Sequence, residues 1–495
     1  MTCAGLRTLR PQGGKTIRGR FSAFPFVFRR GEARTDAAVI RQALEEKYLA
    51  PTRKERPLYS GIEVEMPILN LKKEAVDFEL VHRTAERFMD ICGFVPEKRD
   101  DEGEVILAAD PVTGDSLSFD CSYNNIELSL GRAQDLQLAK IRFFHYYDVL
   151  QELFSAHDYT LTGMGVNPYR IYNHNVPIPN GRYRMLFHHL HSYPRYRSLP
   201  MHFHHHPAFG TFSSASQVQL DVMDTDLITI FRAFSRLEPV KALLFSNSVL
   251  LGENDGMICV RDMFWENSTH GINPHNVGMY ECDFYSEDEL LDYISSTSLY
   301  CVERDGKYLN FAPTPLLAYM ELPEIEGEYY DPDSGGFETY TFKPELEDLQ
   351  YLRTFKYEDL TYRGTVEFRS CCTQPIRDTF CVAAFHLGLL EKLRELDELL
   401  EKDQVLYHHG YTASELRHLF VRRQYPPYIS KEGLDHLVGE ILDLAREGLT
   451  ARGMQEECFL DPLYDRWHRK SNPAMDMLHM LEEGRSIEDV IMLYR

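Results

Sequence analysis

The chain has 495 residues, 43% hydrophobic and 12% aromatic, which supplies a sizeable core and excludes a disordered composition. A formal net charge of −23 argues against nucleic acid and anionic membranes as general partners, since both call for a basic face. No apolar run approaches the ~18 residues of a membrane-spanning helix, and the ten cysteines form no C-x-x-C pair or zinc-knuckle spacing, so a reducing, cytoplasmic setting is expected.

Residues 1–30 carry Arg7, Arg10, Lys15, Arg18, Arg20, Arg29 and Arg30 and no acid. This reads as a basic tail outside the folded body, with a transit peptide as the functional alternative. The "QGGKT" within it resembles the end of a phosphate loop, but the leading glycine of that motif would fall on Leu9 and no strand precedes it.

Residues 37–48, "AAVIRQALEEKY", read as a short helix. "GIEVEMPIL" is a strand, and "ELVHRTAERFMDICGF" is an amphipathic helix with Leu80, Ala85, Phe88, Met89 and Cys92 at helical spacing. "DSLSFDCSYNNIELSLG" reads as strand, polar turn and strand, and "DLQLAKIRFFHYYDVLQELFSAH" as a long helix. "YTLTGMGVNPY" is a strand entering a loop, and "SSASQVQLDV" and "RGTVEFRS" are further strands. The acidic, Gly- and Pro-containing stretch at 323–348 reads as a surface insertion, because a charge run is usually a solvated face. From 378 the pattern is helical: Phe385, Leu389, Leu393, Leu396 and Leu400 step by four and three, as do Leu434, Leu437, Ile441 and Leu444. Asn472 is placed to cap a helix with Pro473 at its first position, and Ser486 to form a capping box with Asp489.

Several strands carry acids where a buried strand should carry Val or Ile. Glu63 and Glu65 lie two apart and share a face. Asp120 and Glu127 flank the turn "CSYNN"; Glu367 and Arg369 share the face opposite Val366 and Phe368; Gln217, Gln219 and Asp221 share the face opposite Val218 and Leu220. Burying that many carboxylates uncompensated costs several kcal/mol each or drives them to protonate. Hard divalent cations remove the problem, and Mg²⁺ keeps coordination places for phosphates. One sheet face is therefore expected to be a carboxylate cage for two or three metal ions that hold a nucleotide. The alternative is a set of solvated edge strands.

"GIEVEMPIL", "FDCSYNNIELSL", "GMGVNPY", "PNGRYRML", "SSASQVQLDV" and "GTVEFR" fall in an order that resembles the glutamate–cysteine ligase family, in the branch shared by plants and many bacteria. "LLFSNSVLLGENDGMICVRDMFW" and the closing "EGLTARGMQEECFLDPL…NPAMDML" are similar to it too, so the likeness spans residues 58–480. It implies an α+β, glutamine synthetase-like fold: an antiparallel β-sheet funnel with surrounding helices and a helical C-terminal module. The expected division is a basic tail and short helix at 1–56, a catalytic domain at 57–377 and the helical module at 378–495 packed on it.

The resemblance also implies the activity, in which ATP phosphorylates the γ-carboxylate of glutamate and the amine of cysteine displaces the phosphate. Mg²⁺ or Mn²⁺ is the implied cofactor, with ATP as co-substrate. By motif position Glu63, Glu65, Asp120, Glu127 and Glu367 match the metal-binding acids. Gln219 matches a metal-site position that is His or Asn in other branches. Arg369 matches a phosphate-contacting arginine, with Glu367 beside it as the catalytic pair. Arg182, Arg261 and Asn247 are the candidates for substrate or nucleotide binding. The partners implied are glutamate, cysteine or another amine, and ATP; a homodimer is compatible with this reading. A different acceptor amine, a phosphotransferase of the same superfamily and a metal-binding interaction protein without turnover stay open.

Seven histidines at 188, 189, 191, 202, 204, 205 and 206 invite a zinc site. No acid or thiolate lies close in sequence, so a polar loop or helix near the active-site mouth is expected instead. "GMGVNP" is not a dinucleotide fingerprint, because Pro168 stands at its third glycine position. Cys371 and Cys372 are expected to be small buried residues beside Arg369.

Overall fold

The computed structural model describes residues 37–253 and 256–495. The basic stretch with "QGGKT" lies outside these residues. The strands are β1 (Ser60–Asn70), β2 (Val95–Arg99), β3 (Val105–Ala109), β4 (Ser116–Ser118), β5 (Asn125–Ala133), β6 (Tyr159–Leu161), β7 (Ser216–Asp221), β8 (Val277–Gly278), β9 (Ser298–Arg304), β10 (Lys307–Pro315), β11 (Ile325–Asp331), β12 (Gly336–Phe342), β13 (Phe355–Lys356), β14 (Glu358–Leu360) and β15 (Thr365–Phe368). The α-helices are α1 (Ala37–Leu44), α2 (Phe78–Cys92), α3 (Leu136–Ser155), α4 (Gly181–His191), α5 (Asp224–Phe245), α6 (Val260–Glu266), α7 (Glu287–Ser295), α8 (Leu316–Met320), α9 (Phe380–Glu391), α10 (Leu393–Lys402), α11 (Ala413–Phe420), α12 (Lys431–Arg452), α13 (Asp461–Arg469), α14 (Pro473–Glu482) and α15 (Ile487–Tyr494).

The chain adopts the α+β class expected of it, built on antiparallel sheet. The main sheet runs β14-β15-β7-β1-β5-β4-β3-β2, with β6 on the far half of β1, and every pairing in it is antiparallel. It is open, with β14 and β2 at its edges. Alternation along β1 sends Ile62, Val64 and Met66 to one face, all buried. Val218, Leu220, Leu128, Leu117, Val366 and Phe368 join them there across the register. Helices cover this apolar face. α9 is buried from Phe380 through Leu389, as an all-round apolar helix must be. Phe234 of α5 packs on Phe368 at 4.6 Å between ring centroids.

The C-terminal helices close the structure. Asn472 caps α14 through Met475 N–H at 3.1 Å, and Ser486 and Asp489 form the capping box of α15. Met477, Val490, Ile491 and Tyr494 then pack on Leu69, Met164 and Tyr169. Among the described residues no helix is long and apolar enough to cross a membrane.

The stretch 323–348, expected as a surface insertion, is ordered as strand. It holds β11 and β12, a hairpin within a second antiparallel sheet of order β12-β11-β10-β9. Ile325, Gly327 and Tyr329 face inward while most of β12 is exposed, so the charge run does sit on a solvated face, but on a strand. At the N-terminal end, α1 continues through a π turn (Glu45–Leu49) and a 3₁₀ turn (Ala50–Arg53). This carries Lys47 and Tyr48 to the main cavity.

Candidate active site

The polar face of the main sheet forms one wall of a cavity of about 860 Å³. Register explains how the acids meet there. Glu65 stands opposite Glu127, and Glu63 stands between Ser129 and Gln217. Glu367 stands between Gln219 and Asp359. Gly61 is the cross-strand partner of Gln219, so the row has no side chain from β1 at that position.

Each acid is held by specific donors. Glu65 accepts from the backbone N–H of Ala215 at 2.6 Å and from Gln217 Nε2 at 2.9 Å. Glu127 accepts from Ser129 Oγ at 2.6 Å and Ser118 Oγ at 3.2 Å. Gln219 Nε2 donates to Glu63 at 3.0 Å and reaches Glu367 at 3.5 Å. Glu367 also accepts from Arg369 Nη1 at 2.7 Å. Burial, and then the charges of Glu367 and Glu127, push the Glu63 carboxyl well above the usual carboxylate range. Burial with Asp120 and Glu127 nearby pushes Glu65 up to about 8, and burial followed by Asp120 pushes Glu127 up to about 6. Asp120 is raised by burial against the pull of Arg182, Arg369 and Arg261.

Eight of the ten residues singled out from the sequence line this cavity: Glu63, Glu65, Asp120, Glu127, Arg182, Arg261, Glu367 and Arg369. Gln219 lies behind them and bridges Glu63 to Glu367, while its Oε1 accepts from Arg363 Nη1 at 3.2 Å. Asn247 is different. It is buried away from the cavity and donates to the carbonyls of Gly163 and Thr373, both at 2.7 Å. Its amide braces two loops behind the wall, so the substrate- or nucleotide-binding place expected for it is corrected to a bracing one.

Sequence reasoning missed Asp359, Lys47, Arg353 and Arg363, which also line the cavity. Asp359 sits on the three-residue β14, too short for alternation to reveal. It accepts from Thr354 Oγ1 at 2.6 Å, and burial pushes it up to about 6. Arg353 and Lys47 had no signal beyond their charge.

The histidines do not converge. His188 pairs with Glu328 at 2.7 Å, His206 with Glu253 at 2.8 Å, and His204 Nε2 meets the Phe264 carbonyl at 3.0 Å. His188, His189 and His191 lie on α4, whereas 202–206 is irregular. Cys371 and Cys372 are buried, as expected.

Behind the wall, Arg417 of α11 grips Asp262 at 2.8 and 3.0 Å and Glu238 at 2.6 Å, and Ser370 Oγ donates to Glu238 at 2.8 Å. Asp262 and Ser370 line the cavity, so the C-terminal helices are tied to its frame.

The model of glutamate–cysteine ligase family 2 (GCS2) matches residues 60–493. The chloroplastic glutamate–cysteine ligase of Nicotiana tabacum is 27% identical over 290 residues, covering 55% of this chain and 50% of that one. The Solanum lycopersicum enzyme of the same description is 26% identical over 286 residues, with the same coverage of each. The chain thus spans about half the length of the curated relatives it matches. A crystal structure of glutamate–cysteine ligase from Francisella tularensis in complex with AMP aligns with a TM-score of 0.47 and 12% identity, over 90% of this chain and 89% of that one.

Proposed function

The chain belongs to glutamate–cysteine ligase family 2, and on that footing we propose that it is an ATP-dependent ligase that joins the γ-carboxylate of glutamate to an amine, with cysteine the first candidate acceptor. The observation that carries this reading is the row of carboxylates on one sheet face, with Glu65 and Glu367 buried, ending in the Glu367–Arg369 pair and sharing one cavity with further arginines.

A carboxylate is a poor acylating agent because its leaving group would be an oxide. Transfer of the ATP γ-phosphoryl group to a γ-carboxylate oxygen gives γ-glutamyl phosphate and ADP. The acceptor nitrogen then attacks the acyl carbon, the C–O bond to phosphate breaks, and the amine gives up its proton. The protein's part is positioning and charge compensation. Arg369, anchored on Glu367, offers a guanidinium to the transferring phosphoryl oxygens. Arg182 and Arg261 are the groups for substrate carboxylates.

The donor set suits Mg²⁺ or Mn²⁺ in kind, being all oxygen and burdened with mutual repulsion that a compact cation would relieve. Among the described residues, no three such side chains converge closely enough to hold an ion alone. The acids stand in pairs along the expected carboxylate cage: Glu65 with Glu127, and Glu63 with Glu367 through Gln219. Pairs are what Mg²⁺ uses when phosphates complete its shell. Bound there with the nucleotide, the ion supplies positive charge at the phosphate oxygens.

The test is mass spectrometry of products from ATP, Mg²⁺, glutamate and mixed amino acids. ADP with a γ-glutamyl amide is the expected result. A phosphorylated amine, or no ADP release with any amine, overturns the reading.

A further inference from the structure

Two hollows on the surface meet at Glu395 of α10. One, of about 390 Å³, lies between the segment leading into β1, the start of α5 and the junction of α9 with α10. The other, of about 500 Å³, lies between α10 and α12. Together they make a groove along one side of α10. Its floor is apolar, with Ile230, Leu390 and Leu393 in the first part and Leu399, Val405 and Leu437 in the second. Leu390, Leu399 and Val405 stay partly exposed there.

The rim of the groove is acidic. Asp226, Glu391, Glu395, Glu398 and Glu440 line it. Glu395 and Glu398 pair with Lys392 at 3.2 Å and Lys402 at 3.0 Å, but between exposed side chains, where water screens the attraction. Among the described residues Asp226 has no ion pair, and Glu440 meets only His436, at 3.6 Å. An apolar floor inside a charged rim marks a surface that takes a partner. The sign of the rim asks for a basic one, with apolar side chains for the floor.

This chain contains such a segment. Residues 18–30, "RGRFSAFPFVFRR", hold Arg18, Arg20, Arg29 and Arg30, four phenylalanines and no acid. They lie outside the described residues. Segments that stay in solvent are poor in aromatics, so this composition calls for an apolar surface. Pro25 disfavours a helix interior. In an extended segment alternate side chains share a side, which groups Phe24, Phe26 and Phe28 between the two pairs of arginines.

Reach favours the segment over a foreign peptide. Phe28 precedes Ala37 by nine residues, which span up to ~30 Å when extended. From Ala37, α1 is eight residues, ~12 Å, long. Just beyond its end Glu45 pairs with Arg53 at 3.0 Å, and Arg53 stands three residues before Arg56 in the groove wall. Attachment also raises the effective concentration of the segment at the groove, to about the millimolar range for a short flexible link.

We propose that residues 18–30 dock in this groove of their own chain, with phenylalanines on its floor and arginines on its rim. The proposal is independent of the ligase reading. The test uses the full chain with p-benzoyl-phenylalanine in place of Phe26. After irradiation, peptide mass spectrometry locates the crosslinks, and denaturing gels separate those within one chain from those between two. Crosslinks within one chain, to residues 222–230, 390–405 or 433–440, are the expected result. Their yield should fall about tenfold in Glu395→Lys/Glu398→Lys, where the rim is reversed in sign. Those two side chains are 55% and 68% exposed, so the variant keeps its fold. Independently, hydrogen exchange over residues 403–412 should be about threefold slower in the full chain than in Phe24→Ser/Phe26→Ser/Phe28→Ser. Crosslinks to other surfaces, crosslinks formed chiefly between two chains, a yield indifferent to charge reversal, or equal exchange in the two proteins each overturn the assignment.

Discussion

Glu367 is held between an attraction and a repulsion. Arg369 Nη1 lies 2.7 Å from one carboxylate oxygen, and the other oxygen shares Gln219 Nε2 with Glu63. Replacing it with Gln removes both the ion pair and the like-charge contact, so the two stability effects oppose each other. Glu367→Gln should therefore fold normally and shift the thermal midpoint little, yet lose about 100-fold or more in kcat, as expected where preorganised charge is removed. ADP release at saturating ATP checks this, and unchanged turnover takes the residue out of the site. Arg369→Lys keeps the charge but loses the planar fork. It should slow turnover while the acceptor KM stays near wild type; a normal rate contradicts its role.

At the same scale, Glu63, Glu65, Glu127 and Glu367 were legible in the sequence because each interrupts an apolar strand at alternate positions. Asp359 was not, because β14 is three residues long. Asn247 misled for the converse reason. A polar residue between apolar ones signals a buried hydrogen-bonding role, and only the fold says that its partners are the Gly163 and Thr373 carbonyls.

Among elements, β1 follows its alternation, whereas the Phe385–Leu400 stepping is divided between α9, buried on all sides, and α10, which starts at Leu393. The 325–342 hairpin was hidden because most of its outer strand is exposed and its acids mask the inward Ile325 and Tyr329. The α9–α12 contact depends on glycine. A Cβ at Gly448 would meet the Gly388 carbonyl oxygen at 2.0 Å, and one at Gly388 the Ala445 oxygen at 2.2 Å. Alanine in a helix interior normally gains about 1 kcal/mol over glycine, but here two backbones must move apart. Gly448→Ala should instead cost about 1–3 kcal/mol of stability, as overpacking does. Urea unfolding checks this, and an unchanged or higher midpoint would show that the helices can separate freely.

At the scale of the whole molecule, a chain of net charge −23 places several of its acids on a single interior face. The frame around that face comes from distant parts of the chain. Lys47 and Tyr48 arrive from the N-terminal helical segment, while Arg417 ties α11 to Asp262 beneath the cavity wall. That long-range assembly is what a linear reading could not supply, even where each local element was recognised.

The most direct measurement is electron paramagnetic resonance of Mn²⁺, standing in for Mg²⁺, titrated into the protein with a non-hydrolysable ATP analogue. Tight, nucleotide-dependent uptake that weakens at least tenfold in the Glu65→Gln/Glu127→Gln double variant is predicted. Uptake that ignores both the nucleotide and the loss of those two carboxylates would contradict the assignment of the acidic sheet face.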